Sequence, residues 1–442
     1  MFKKRNFVPI ALGFLMNLVL IFCYHFLCNG CVYAEDVDVI LVFEHKDQET
    51  VKSSKDIDKI SSILNGIVFT FQISNGERSE NIEIFGCKCN NPETNVEIPA
   101  MIIVNCAKES KKYNVSKLWF HSFANDKNIT SVFIPDSVNS FHFCCFKDCE
   151  NLEKINIPYS IECIGESCFS GCCNLTTVAI PSSIKSVPKK CFYKCSNLKT
   201  VVFSNSITSL GAFCFYGCSN LTDISLPDFV KSIGDSCFEG CTNFVDITIP
   251  DSLMFLSKAC FRGCSKLKNV IFEGNETSLR EFCFQKCSVL TNVLLPIFVR
   301  SLPEGCFKEC SNLESITLPN SIKSIGSFCF CECSNLATII IPNSVLFLEN
   351  DCFSNCSSFT SITIPHSVRK IGKHCFYDCS NLVSVAILGF AKFSECKIID
   401  MFGGISSGKN EAFGKCFSLQ NISSGPIEIF DSFYDTHLCA KV

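Results

Sequence analysis

The sequence contains little of what catalytic sites and nucleic-acid-binding surfaces are built from. Tryptophan occurs once, as Trp119, and seven of the 442 residues are histidines, scattered along the chain. Charged residues make up 19% of the chain and the net charge is −4, so no basic field is present to hold nucleic acid. No Gly-rich phosphate loop and no Gly-x-Ser-x-Gly motif occurs. We therefore expect no nucleic-acid partner, no cofactor or metal, and no enzymatic activity.

Cysteine and phenylalanine are abundant instead, with 35 and 43 residues, and both recur with a fixed period. The motif Cys-Phe-x-x-Cys returns every 23 residues, eleven times without an insertion. A fixed period of a few tens of residues is typical of a solenoid, in which each unit packs on its neighbours. The first cysteines of the motif are Cys145, Cys168, Cys191, Cys214, Cys237, Cys260, Cys283, Cys306, Cys329, Cys352 and Cys375.

Each unit combines an apolar strand pattern with a turn. Leu152, Ile155 and Ile157 have the spacing Leu-x-x-Ile-x-Ile, which places apolar side chains inward as in the strand of a leucine-rich repeat. Pro158 then ends the strand because it has no N–H to donate. Ser160 stands where a small polar side chain can bond neighbouring backbone. The two cysteines of the motif, at i and i+4, predict a helical turn.

The unit resembles the repeat of the BspA-like leucine-rich-repeat proteins of bacterial and protist cell surfaces, which reads close to Ile-Gly-x-x-Ala-Phe-x-x-Cys-x-x-Leu-x-x-Ile-x-Ile-Pro-x-Ser-Val. The resemblance extends over residues 122–422. This chain departs from the pattern mainly in having cysteine where alanine is usual, Ala412 being an exception. The resemblance implies a surface-displayed or secreted protein that binds host matrix, other cells or proteins, and it supplies no catalytic residues.

The predicted fold is a leucine-rich-repeat solenoid of about 13 stacked 23-residue units, eleven regular and one degenerate at each end. We expect a parallel strand face, short helical turns opposite it, and a cap at both ends. The last unit is displaced by 14 residues from the period. The predicted segments are a signal peptide or signal anchor (1–34), a β-rich N-terminal cap (35–121), the solenoid (122–388), an insertion loop (389–411), and the last degenerate repeat with a C-terminal cap (412–442).

The sequence predicts strands within the cap region and a targeting segment before it. Apolar alternation predicts strands in 38–43 and 67–73, and Asn75-Gly76 predicts a hairpin turn after the second of them. The segment before the cap has a positive start around Lys4, an apolar run, and a small-residue cleavage pattern ending at Ala34. Cleavage there predicts a secreted or cell-surface protein. An uncleaved signal anchor is the alternative, and only then do we expect membrane contact.

The cysteines leave three interpretations open. A cysteine-rich secreted chain is typical of a disulfide framework. Neighbours within a solenoid column, however, lie about 5 Å apart with parallel side chains, which opposes wholesale pairing. Reduced thiols that pack as small buried hydrophobes are the second interpretation. Zinc ligation is the third, although histidines are few. The irregular Cys144, Cys163, Cys173 and Cys331 are candidates for occasional bridges.

The outward positions of the strand offer one candidate partner-binding patch, formed by Asp223, Asp246, Ile271 and Leu294. Ile271 and Leu294 are apolar entries in adjacent units, and neighbouring exposed apolar residues can mark a contact site. Ordinary sequence drift on an unused face is the alternative. Among the Asn-x-Ser/Thr sequons, Asn114, Asn275 and Asn421 are the glycosylation candidates, whereas Asn174 and Asn220 are expected to bond the backbone.

Taken together, these features predict a non-catalytic binding protein that acts in adhesion or in contact with a host or another cell. Its partner would be a protein or glycan on another cell or in the extracellular matrix. The alternative is an intracellular or membrane-anchored protein-interaction scaffold, since abundant thiols suit a reducing compartment.

Overall fold

The computed structural model describes residues 40–43, 60–64, 67–73, 80–106, 109–222, 224–389, 392–393 and 412–424. The predicted signal segment, the hairpin turn at Asn75-Gly76, most of the insertion loop and the end of the chain lie outside the described residues. Within the described residues the chain forms a β-sheet cap followed by a parallel β-solenoid. In that same part of the chain no helix is long and apolar enough to span a membrane.

The cap strands form a mainly antiparallel sheet in the order β1-β6-β7-β4-β3-β2. Two of them, β1 and β3, lie over segments whose apolar alternation predicted strands, and β5 pairs instead with the first strand of the solenoid, Ile129–Phe133. Within this sheet β4 and β7 run parallel, with a register shift at Ile82 and Glu83. The bounds are β1 (Ile40–Phe43), β2 (Ile60–Leu64), β3 (Ile67–Ile73), β4 (Asn81–Cys89), β5 (Thr94–Glu97), β6 (Met101–Cys106) and β7 (Glu109–Leu118).

The Leu-x-x-Ile-x-Ile segments form the first strand column of the solenoid. Their pairing is parallel and in register at one period, as in Val178 opposite Val201, and their buried and exposed residues alternate. The bounds are β8 (Ile129–Phe133), β10 (Lys154–Ile155), β12 (Thr177–Ile180), β14 (Thr200–Phe203), β17 (Asp246–Ile249), β19 (Asn269–Phe272), β21 (Asn292–Val293), β23 (Ser315–Ile316), β25 (Thr338–Ile339), β27 (Ser361–Ile364), β29 (Ser384–Ile387) and β31 (Asn421–Ser424).

A second column of two-residue strands follows the corner after each proline. In some units the serine at this corner donates to a carbonyl of the preceding coil, as Ser160 does to Val138 at 2.7 Å, which confirms the predicted role there. The buried hydroxyls of Ser183, Ser344 and Ser367 have no such partner among the described residues. The bounds are β9 (Ser140–Phe141), β11 (Cys163–Ile164), β13 (Ser186–Val187), β15 (Ser209–Leu210), β16 (Ser232–Ile233), β18 (Phe255–Leu256), β20 (Ser278–Leu279), β22 (Ser301–Leu302), β24 (Ser324–Ile325), β26 (Phe347–Leu348), β28 (Lys370–Ile371) and β30 (Lys392–Phe393). Because β9 pairs with β7, the cap sheet continues into this column.

The Cys-Phe-x-x-Cys segments form the third side, and here the predicted helical turns are absent. Each regular segment has one left-handed residue directly before it and another at its fourth position, such as Ser167 (φ 56°) and Gly171 (φ 78°), and such residues cannot continue a right-handed helix. The Phe169 N–H donates to the Cys191 carbonyl of the next coil at 2.9 Å, while the Cys172 N–H closes a turn onto Phe169 at 3.2 Å. The segment is therefore a stack of tight turns whose hydrogen bonds run between coils.

The core of the solenoid is a column of phenylalanine rings. Consecutive rings are nearly parallel, with centroids 4.9 to 5.7 Å apart, the offset-stacked distance that aromatic pairs favour. Phe376 stacks on Phe413 although 37 residues separate them, so the insertion leaves the stacking unbroken. In the described residues the column comprises Phe123, Phe146, Phe169, Phe192, Phe215, Phe238, Phe261, Phe284, Phe307, Phe330, Phe353, Phe376 and Phe413.

Two cysteine columns flank the rings, and the cysteines of both columns are free thiols. The second cysteine of a motif donates its thiol hydrogen to the phenylalanine carbonyl of the preceding coil, as Cys241 does to Phe215 at 3.2 Å. The irregular Cys144, Cys163, Cys173 and Cys331, considered above as candidates for bridges, are likewise free thiols. Cysteine suits this column because it is small and apolar and still carries a weak donor for a buried carbonyl.

Candidate functional site

The predicted patch lies on the outward side of the first strand column. Ile271 and Leu294 occupy the same position in adjacent coils, since Val270 pairs with Val293 one residue earlier. Both side chains point outward, with 56% of Ile271 and 77% of Leu294 exposed. Asp246 is exposed one coil before Asn269, whose side-chain amide donates to its carboxylate at 2.6 Å. Asp223 lies outside the described residues.

Two exposed apolar residues at the corner of the Leu294 coil extend the patch. Ile297 is 54% exposed and Phe298 57% exposed, and both lie in the turn that follows Pro296. We call Ile271, Leu294, Ile297 and Phe298 the apolar corner patch. Sequence reasoning missed its corner half, although a signal was present: Phe298 stands where most units carry the corner serine.

Residues of mixed charge and polarity border this patch. Asp251 is exposed at the corner of the preceding coil, and Glu273 and Glu276 are exposed on the coil of Ile271. Arg300 is exposed two residues after Phe298. On the following coil, the residues equivalent to Leu294 and Ile297 are polar: they are Thr317 and Asn320. An apolar centre with a polar rim is the usual anatomy of a protein-binding surface.

One sequon lies directly beside the patch. Asn275 is exposed, and its carbonyl accepts the N–H of Phe298 at 3.1 Å, so the two residues occupy equivalent positions on adjacent coils. Asn114 on β7 and Asn421 on β31 are exposed as well. These three side chains are therefore placed where a glycan would meet solvent.

The expectation that Asn174 and Asn220 bond the backbone is wrong. Both belong to a ladder in which each asparagine side chain donates to the asparagine of the preceding coil. Asn174 donates to Asn151 at 3.4 Å, and Asn220 donates to Asn197 at 3.0 Å. Because a glycan on the amide nitrogen would remove a ladder donor, these positions are poor glycosylation sites.

Elsewhere the described surface includes a polar depression. This depression of about 560 Å³ is lined by Glu309, Ser311, Glu332, Ser334 and Asn355. Lys308 lies 3.8 Å from the carboxylates of both Glu309 and Glu332, so the depression is a region of surface ion pairs. Small-molecule sites, by contrast, are mainly apolar.

Fully buried column thiols such as Cys241 are poorly suited to chemistry as well. Burial raises the pKa of the column thiols such as Cys241, and it raises the pKa of Cys331 to about 11. The thiolate is the reactive form, so these thiols are poor nucleophiles and poor metal ligands at neutral pH. No group of three or more His, Cys, Asp or Glu side chains in this part of the chain could hold a metal ion.

Comparisons with known proteins agree with this geometry. The family model for the BspA type leucine-rich repeat region matches residues 117–219, 208–313 and 300–389, more than half of the chain. A leucine-rich repeat protein from Bacteroides ovatus is similar in structure, with a TM-score of 0.59, 24% identity, and coverage of 82% of this chain and 94% of its own. No curated protein matches the sequence.

Two further solved structures have lower similarity. A leucine-rich cell surface protein from Faecalibacterium prausnitzii has a TM-score of 0.47 and 22% identity, over 83% of this chain and 95% of its own. The pneumococcal vaccine antigen PcpA has a TM-score of 0.47 and 16% identity, over 83% of this chain and 87% of its own.

Proposed function

Because the chain belongs to the BspA-type leucine-rich-repeat family, we propose that it is a non-catalytic binding protein of the cell surface or of the secreted fraction. The repeat is a protein-interaction scaffold, and the chain's own contribution is its outward surface. The observation that carries the proposal is the apolar corner patch, four exposed apolar side chains on two adjacent coils. The partner is a protein on another cell or in the extracellular matrix, because apolar patches with polar rims suit protein contacts.

The patch is tested by the double substitution Ile271→Ser and Leu294→Ser. We expect the variant to bind intact cells and purified extracellular-matrix proteins at least about tenfold more weakly than the native chain, as for loss of a central contact. Ile340→Ser is the matched control, since Ile340 is 84% exposed in the same outward column two coils further on. Unchanged binding by the double variant, with an unchanged melting curve, would refute the proposed role of the patch.

The competing function is an intracellular or membrane-anchored scaffold. One observation favours it: the cysteines of the two buried columns are free thiols, which suit a reducing compartment. Surface biotinylation of intact source cells, followed by mass spectrometry of the N-terminus, separates the two. A labelled chain beginning at Glu35 supports the secreted or surface protein, and a labelled chain that keeps the apolar run supports a signal anchor. An unlabelled chain recovered only after lysis supports the scaffold.

A further inference from the structure

A second cluster of side chains lies where the cap sheet meets the solenoid, remote in sequence from the apolar corner patch. Strands β4, β7 and β9 are neighbours there, and two rows of side chains cross them on the outer face. The polar row consists of Gln72, Glu83, Lys117 and Ser140, which are paired in register from β3 to β9. The aromatic row lies two residues further along the strands and consists of Phe85, Trp119 and His142.

The rings of the aromatic row are in continuous contact, with Phe85 stacked on Trp119 and Trp119 tilted against His142. The centroids of Phe85 and Trp119 are 5.1 Å apart, and those of Trp119 and His142 are 4.1 Å apart. Two further, tilted rings continue the row at its edge: Phe120 lies 4.6 Å from Trp119, and Phe143 lies 4.4 Å from Phe120. Phe143 is 48% exposed and the other four are half-buried, so part of the cluster faces solvent.

The backbone fixes this row in place. The Trp119 N–H donates to Ile84 at 2.8 Å and the His142 N–H donates to Leu118 at 2.9 Å. The next position of the row is Gly165, where a Cβ would lie 2.3 Å from the backbone nitrogen of Phe143. The row therefore ends at a glycine whose backbone packs closely against the backbone of His142 and Phe143.

The polar row supplies hydrogen-bonding groups without net charge. The Glu83 carboxylate is almost buried and lies 3.2 Å from the Lys117 ammonium, which is partly exposed. The register shift between β4 and β7 sets these two residues opposite each other. Two residues along a strand span about 7 Å, so the polar groups lie about one sugar-ring width from the rings.

Charge narrows the class of ligand that fits. A cation would be attracted to the rings but repelled by the partly exposed Lys117, whereas Glu83 already balances the charge of Lys117 and leaves little net attraction for an anion. A lipid tail would leave the polar row unpaired at a cost. A neutral pyranose has an apolar ring face for an aromatic surface and hydroxyl groups that both donate and accept hydrogen bonds. Burial lowers the pKa of His142, which keeps the imidazole neutral at pH 7. A neutral imidazole can both donate and accept hydrogen bonds, as a hydroxyl group does.

We propose that the aromatic and polar rows form a binding site for a neutral oligosaccharide, with one sugar ring against Trp119, Phe120 and Phe143 and the following sugar units reaching Lys117 and then Gln72, which lies three strands from β9. This site is separate from the apolar corner patch. The protein would thus have two binding sites of different chemistry, and the failure of one proposal would leave the other unaffected.

The single tryptophan provides a direct readout, because all tryptophan emission of the full-length chain comes from Trp119. The probes are soluble tetrasaccharides of β-1,4-linked glucose, α-1,4-linked glucose, α-linked mannose and β-1,4-linked N-acetylglucosamine. We expect at least one of them to change the emission saturably. No change with any of the four at millimolar concentration overturns the proposal, and so does a response to added protein or peptide alone.

Substitutions assign such a response to the cluster. Phe143→Ala should weaken binding of the responding tetrasaccharide about tenfold, the loss of one aromatic contact. Gln72→Ala tests the polar row in the same way, and it keeps the test decisive if Phe143→Ala lowers the melting temperature. Phe229→Ala is the matched control because Phe229 is an exposed phenylalanine on the solenoid. Equal weakening by the control, or unchanged binding by both cluster variants, would show that the rows do not bind sugar.

Discussion

The buried columns of the solenoid and its outward columns share one period but differ in how strictly they keep it. Every described position of the ring column is phenylalanine, because each ring stacks on an identical ring above and below. The outward strand column changes from Thr248 to Ile271, Leu294 and Thr317 without altering the parallel pairing of the coils. The buried residues therefore determine the fold. The outward residues can change from coil to coil without disturbing it, so they can give different coils different binding properties.

The largest expected effect concerns the buried thiols and pH. Burial raises the pKa of column cysteines such as Cys172, Cys195 and Cys241 in the folded chain. A raised folded pKa leaves the stability contribution of each thiol intact below its unfolded pKa, about 8.5, and removes it progressively above that value. Each buried thiol then lowers the free energy of unfolding by up to about 1.4 kcal/mol per pH unit. With two columns of such thiols, the solenoid should unfold above about pH 9.

Circular dichroism melting curves from pH 7 to pH 10, in the presence of a reductant, measure this effect. The control is a variant with Cys241, Cys264, Cys287 and Cys310 changed to Ala, in which the loss of stability with rising pH should be shallower. Burial raises the pKa of all four thiols. A melting temperature that stays constant up to pH 10 would show that the thiols are not protonated and buried.

The next largest effect distinguishes an interior ring from an exterior ring. Phe238→Ala should lower the free energy of unfolding by about 3–5 kcal/mol, because it leaves a cavity between Phe215 and Phe261. Phe229→Ala, at an exposed ring, should change it by less than about 0.5 kcal/mol. Denaturant unfolding measures both, and equal effects would contradict the distinction between the columns.

The sequence predicted the period, the first strand column and the buried columns, because identical neighbours leave only one way to stack, but not the second column of two-residue strands. It did not predict the turns of the Cys-Phe-x-x-Cys segment. Ser167, Lys190 and Phe213 adopt left-handed conformations without being glycine, and their hydrogen bonds run to another coil, which spacing within one unit cannot reveal. The aromatic row could not be predicted from the sequence either. A register shift between β4 and β7 sets Lys117 opposite Glu83, and two residues further along it brings Trp119 beside Phe85.

A smaller effect probes the cysteine column itself. Cys241→Ala should lower the free energy of unfolding by about 1–2 kcal/mol, through loss of the sulfur packing and of the thiol hydrogen bond to Phe215. The Phe215 carbonyl keeps the N–H of Cys218 at 3.1 Å, so no buried acceptor is orphaned. Cys163→Ala, at an exposed thiol, is the control. Denaturation under reducing conditions compares the two, and equal stabilities would mean that the column tolerates alanine freely.

The smallest expected effect has the opposite sign. Phe298 occupies the corner position at which Ser252 and Ser321 donate to the preceding coil at 2.6 Å, so Phe298→Ser restores a hydrogen bond in place of an exposed ring. We expect the free energy of unfolding to rise by about 0.5–1 kcal/mol, the net value of one such bond. Denaturant unfolding against Ser252→Ala, which should lose a similar amount, measures it. A gain in stability combined with weaker partner binding would show that Phe298 serves contact at the expense of the fold, whereas a loss above about 1 kcal/mol would place its ring in the packed interior.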